Sequence, residues 1–160
     1  MDTNTIMLAI QDKLPQDMQS QAQVRERLEK LSDDKRNDLM RNLPNLKLKS
    51  PALVFWVGSF LFGNFGVGRF MIGDIGLGIV RLVLLIIGII CDLIGLAGMD
   101  GGMLLDDGEE ALEATLGGGI MATLGGIFML ITTIWWIVDL FIVGKKLRVQ
   151  NMQKILNAIR

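Results

Sequence analysis

The chain has no histidine and one cysteine among its 160 residues. Without histidine, the commonest general base and metal ligand is missing, and no Ser–His or Cys–His pair can be assembled. Lysine or carboxylates would have to serve instead, and none is suggestively placed; the sequence predicts no enzyme, no catalytic residue and no cofactor. The lone Cys91 excludes an intramolecular disulfide, and with histidine absent a structural zinc site is excluded as well. Cys91 sits in an apolar run and reads as a small buried hydrophobe. Two further absences are regional. The first 50 residues contain no glycine, and residues 114–138 contain no charge.

What is present follows that division. The net charge of -1 and the 51% hydrophobic content would suit an ordinary globular domain if spread evenly. Instead, all 19 glycines fall in the strongly apolar stretch from Pro51 to Gly144, while residues 1–50 are dense in charge of both signs. The sequence therefore predicts an all-α membrane protein with a short helical cytosolic head and two to three apolar membrane helices. Its parts are a head and linker over 1–50, a membrane region over 51–144 with an acidic connection at 99–116, and a basic helical tail over 145–160. The uncharged run 114–138 reaches about 37 Å as a helix, enough for a hydrocarbon layer of about 30 Å. Residues 75–98 are apolar but interrupted by Arg81 and Asp92, and 51–68 is near the lower length limit for a span. A soluble helical hairpin is disfavoured because the chain has too little polar mass to cover three such helices. With the first apolar run starting at residue 51, no cleavable leader is expected.

In the head, three short helices are expected. Thr3 or Thr5 can cap the first, which carries Ile6, Met7, Leu8, Ile10 and Leu14. Pro15 suits the first turn of a second running to about Leu31, with Met18, Ala22, Val24, Leu28 and Leu31 inward. Ser32, Asp33 and Asp34 form a favourable start for a third, which ends before Pro44. Residues 44–51 read as a linker bounded by two prolines. The balanced charge offers no basic patch for nucleic acid, so the head reads as a bundle that binds a cytosolic protein partner or rests on the membrane surface.

Lysine and arginine flank the apolar region at both ends: Arg41, Lys47 and Lys49 before it, and Lys145, Lys146, Arg148, Lys154 and Arg160 after it. The connection carries only acids: Asp100, Asp106, Asp107, Glu109, Glu110 and Glu113. Both termini are thus predicted on the cytoplasmic side. An even number of crossings follows, with 51–68 as a shallow or re-entrant piece. Five charges lie in or beside the apolar segments: Arg69, Asp74, Arg81, Asp92 and Asp139. Such groups are costly in lipid unless paired or watered. Arg81 and Asp92 stand about 16 Å apart along one helix and cannot pair with each other. Pairing of Asp139 with Arg69 or Arg81 across helices would satisfy both partners. Gly118, Ala122 and Gly126 form a small-residue stripe that allows close helix approach, within one subunit or between subunits. Trp56, Trp135 and Trp136 are candidate interfacial anchors.

Two motif readings fail. Gly66, Gly68, Gly73, Gly76 and Gly78 lack dinucleotide-binding spacing, and no phosphate-binding lysine follows. The acidic stretch 100–110 lacks the ligand alternation of a calcium loop, so it reads as a solvated loop or short helix and no metal is predicted.

Residues 61–79, LFGNFGVGRFMIGDIGLGI, resemble the arginine turn of the TM-two domain family, small membrane proteins named for two transmembrane segments. Gly63, Gly66, Arg69, Phe70, Gly73, Gly76 and Gly78 match the turn, with Asp74 inside it. Trp135, Trp136 and Asp139 match the closing run, and 31–51 resembles the lead-in of bacterial members. Two departures stand out: Gly68 where the family often has aspartate, and Met71 where tyrosine is usual. The acidic connection also separates motifs that are usually close together. The resemblance implies a membrane-embedded interaction or regulatory module without an agreed activity. The expected function is therefore a homo-oligomeric binding or scaffolding module of a bacterial inner membrane, in contact with the lipid bilayer. The alternative is an oligomeric pore or permeabilising effector that conducts ions.

Overall fold

The computed structural model describes residues 2–105 and 108–159. It is 88% helical and without strands among the described residues, which makes the chain all-α. Three short helices come first: α1 (Thr3–Ile10), α2 (Met18–Glu29) and α3 (Asp33–Asn42). A 3-10 turn at Leu43–Leu46 leads to α4 (Pro51–Leu53), which widens into a π-helical stretch over Val54–Leu61. A tight turn over Gly63–Phe65 and α5 (Val67–Ile72) then feed two long helices, α6 (Ile75–Leu104) and α7 (Glu109–Ala158).

The head folds for local reasons that its sequence carries only in part. Asp2, not a threonine, is the N-cap of α1, and Thr3 is buried as its first residue. Asp17 caps α2 by accepting from Ser20 N at 2.7 Å, so Pro15 stays in the preceding loop. The cap sets the helix register. Val24 and Leu28, four apart, are buried, whereas Met18 is 87% exposed and Ala22 also faces out. Ser32 is the N-cap of α3, with Asp33 and Asp34 in its first turn. These helices enclose Ile6, Ile10, Leu14, Val24, Leu28 and Leu39.

The final member of that core is Ile155, from the end of α7. The tail is thus the fourth helix of the head. Asn151, buried beside it, accepts from Lys49 N at 3.3 Å and donates to Lys49 O at 2.9 Å and Lys13 O at 3.2 Å. Lys154 donates to Lys47 O, and Lys49 Nζ to Met71 O. Lys47 and Lys49 thus tie the linker to α7, and Lys49 also ties it to α5.

Helices α6 and α7 are about 45 and 75 Å long, and both are long and apolar enough to cross a membrane. The core helix of a soluble protein would be mostly buried. Here only 22% and 17% of the most apolar windows are buried, with Val83, Ile90, Leu116, Leu130, Ile134 and Phe141 facing outward. The segment 51–61 is helical for only about 16 Å and is too short to cross. The acidic connection is mostly not a loop. Helix α6 runs through Asp100 to Leu104, and α7 resumes with Glu109 and Glu110 in its first turn, where the helix dipole favours carboxylates. Asp106 and Asp107 lie outside the described residues.

The pair is held by small residues. A Cβ on Gly118 would stand 2.6 Å from Met99 N and 2.7 Å from Gly95 O, and one on Gly98 3.0 Å from Gly118 Cα. Ala122 lies against Gly95, and Gly125 receives the side chain of Asp92. The expected third member of the stripe, Gly126, faces open space. The reason is angular. At about 100° per residue, position 125 falls roughly 20° short of two full turns from Gly118, while 126 falls roughly 80° past them.

Candidate functional site: a buried charge cluster at the glycine turn

Five charged side chains converge where α5, α6 and α7 meet. Glycine shapes the approach. Gly66 (φ 76°) precedes α5 and Gly73 (φ 87°) ends it, both in the left-handed region that side-chain-bearing residues rarely adopt. The two reversals make α5 a six-residue elbow that directs Arg69 toward α7. Close approach fixes its neighbours. A Cβ on Gly78 would press on the Phe70 ring at 2.8 Å, and Gly63 lies against the Trp136 indole. Gly76 faces open space.

Asp139 is the hub, 2% exposed. Its Oδ1 accepts from Arg69 Nη2 at 2.5 Å, and Arg69 Nε lies 3.1 Å from both carboxylate oxygens. Its Oδ2 also accepts from Arg81 Nη1 at 2.7 Å. Arg69 Nη1 donates to Asp74 Oδ2 at 3.1 Å, and Lys146 Nζ to both Asp74 oxygens at 2.6 and 2.7 Å. The charges alternate along the chain Arg81, Asp139, Arg69, Asp74, Lys146. Asp139 and Lys146 are seven residues apart on α7 and so share a face. Hydrogen bonding by Lys146, and then by Arg69, holds the Asp74 carboxyl below its ordinary range.

The sequence anticipates pairing of Asp139 with one arginine across helices; the structure pairs it with both. Lys146 is the member that sequence reasoning missed, and its seven-residue spacing from Asp139 was the available signal. Arg81 is 1% exposed, its Nη2 reaches Thr132 O at 3.5 Å, and its Nε has no partner among the described residues. Asp92 lies outside the cluster. It sits half-buried on Gly125 and forms no side-chain hydrogen bond with a described residue. Trp136 faces inward, donating from Nε1 to Ser59 O at 2.6 Å. Trp135 is half-buried beside it, and Trp56 is exposed, edge-on to Phe55 and Phe60.

Chemically, this arrangement binds helices together. Arginine keeps its proton under any physiological condition, and both oxygens of Asp139 are occupied, so the hub offers no free base or nucleophile. Removing one partner would strand a buried charge, which costs about 3–5 kcal/mol. Among the described residues, no group of three or more Asp, Glu or Cys is placed to hold a metal ion. Comparisons with protein-family models, curated proteins and solved structures find no match to this chain.

Proposed function

We propose that this chain is a non-catalytic scaffolding or regulatory module of a bacterial cytoplasmic membrane, of the TM-two type, acting as a homo-oligomer. Helices α6 and α7 cross the bilayer, α4 to α5 lies shallow, and both termini are cytosolic, with the acidic connection on the far side. The observation that carries this reading is the consumption of Arg69, Arg81 and Asp139 by one another inside a single subunit. A conducting pathway would need those charges turned to a lumen. Here they lock a helix pair whose outward faces stay apolar and free for lipid or another copy.

One observation favours the pore as a second reading: Asp92 forms no side-chain hydrogen bond or ion pair with a described residue. Liposome conductance separates the two. The scaffold reading expects purified protein to leave ion flux at background, with discrete oligomers in mild detergent. Ion flux whose selectivity changes in Asp92→Asn would overturn it. Labelling of Met103→Cys from the cytoplasmic side would overturn the orientation.

A further inference from the structure

We propose that a phospholipid phosphate binds beside Lys145 and Arg148, in a groove between the head and the point where α7 leaves the apolar layer. The inference rests on the membrane reading above. Phe141 and Ile142 still face outward, 68% and 43% exposed, and the basic run begins at Lys145, directly after Gly144. The groove there has a volume of about 500 Å³ and is walled by Pro15, Gln16, Lys145, Arg148 and Val149. A second groove of about 370 Å³ adjoins it, with Ala52, Phe55 and Gly144 as its apolar wall. Gln16 and Arg148 line both. Both grooves mix charged and apolar lining, with Lys145 on one, Phe55 on the other and Arg148 between them, where α7 passes from its apolar run to its basic one. This matches a phosphate joined to a glycerol and acyl chain.

The two adjacent lysines divide their roles. Lys146 is spent on Asp74. Lys145 is exposed and has no hydrogen bond or ion pair with a described residue. Lys145 and Arg148 are three residues apart and share a helix face. Arg148 Nη1 donates to Leu14 O at 3.0 Å, which holds the guanidinium at the groove wall. Arginine and lysine are the two side chains best suited to a phosphate, the first as a planar fork and the second as a point charge. One acid stands at each rim: Asp12 on the smaller groove and Asp17, already bound to Ser20 N, on the larger one. The lining is formally neutral, so the phosphate is held by the unpaired Lys145 and the Arg148 fork rather than by net charge, and a singly charged phosphodiester suits the groove better than a doubly charged free phosphate.

The test uses the full chain in mild detergent with added phosphatidylglycerol, counting bound lipids by native mass spectrometry. Wild type is expected to retain one lipid, and Lys145→Glu to weaken retention by roughly five- to tenfold. Lys30→Glu, which makes the same charge change on the far head surface, should retain lipid as wild type does. Arg148→Lys, which keeps the charge and loses the fork, should fall between. Equal retention by wild type and Lys145→Glu would overturn the site. Release of the lipid by an equal concentration of glycerol phosphate would overturn the lipid assignment in favour of a free phosphate. Flotation with liposomes is run on the same samples. Failure of wild type to float overturns the membrane reading and the site together, whereas flotation with equal retention overturns the site alone.

Discussion

The head and the long apolar pair hold helices together by opposite means. In the head, large aliphatic side chains from four helices close on one another, and Ile6, Leu14, Val24, Leu28 and Ile155 reach zero exposure. In the long pair, large aliphatic side chains face outward and the seam is made of Gly95, Gly98, Gly118, Ala122 and Gly125. Water drives the first arrangement, because burying apolar surface is favourable only against water. In lipid, as the proposed function has it, that drive would be absent, leaving close backbone contact and paired charge as the available adhesives. The chain uses both: the glycine seam over the distal half of the pair, and the Arg81–Asp139–Arg69 cluster near the head.

The comparison is broken most severely at Asp139. Asp139→Asn leaves two buried arginines with a weaker partner and should destabilise the fold by about 3–5 kcal/mol, read as a lower unfolding midpoint in detergent. Replacing Arg69, Arg81 and Asp139 together by Met, Met and Leu should be far milder than the single change. If the triple variant is as damaged as Asp139→Asn, the paired cluster stabilises the pair more than an apolar replacement can. Ile155→Ala is the counterpart in the head, expected to cost about 2–5 kcal/mol through the cavity it leaves. Proteolysis of the first 50 residues should accelerate while the helix pair stays intact. A smaller effect sharpens the seam. Gly118→Val forces the backbones apart and should cost about 1–3 kcal/mol, whereas Gly126→Ala should cost nothing measurable.

The smallest effect is a pH dependence. Asp74 has its pKa lowered by Lys146 and Arg69. A carboxyl lowered on folding contributes stability that is fully present above its unfolded pKa of about 3.9 and is lost as pH falls through the folded value. Acid unfolding should therefore steepen below about pH 4. Lys146→Gln should flatten that slope while changing neutral-pH stability by no more than about 1 kcal/mol. An unchanged slope would remove the Asp74–Lys146 bond from the account.

Much of the all-α character was legible because glycine and charge separate so sharply along the chain. The two long helices were visible in runs too apolar for anything else, and the shortness of 51–68 was visible by counting. The partners of Asp139 were approachable because a buried acid between two unmatched arginines has few other solutions. Other features depend on tertiary contacts that leave no pattern. The choice of Gly125 over Gly126 turns on the phase of α7 against α6. The inward turn of Trp136 depends on Ser59, 77 residues away. The assignment of Ile155 to the head core needs the whole helix in place, since a short basic tail with scattered aliphatics reads the same whether it is free or docked. Asn151 is similar. Its three backbone bonds to Lys13 and Lys49 join segments more than 100 residues apart.

Helix α7 runs unbroken through 50 residues, from the acidic connection to the head core. It acts as a lever. With α7 clamped at Asp139, a tilt of about 5° moves Ile155, about 24 Å further along the axis, by roughly 2 Å. A gap of about 1 Å already forfeits a quarter to a half of a packed contact's attraction, so the head core is sensitive to such a shift. On the membrane reading proposed above, a tilt of the pair, such as a change in bilayer thickness would impose, would be delivered mechanically to Ile155 and to the three helices packed on it.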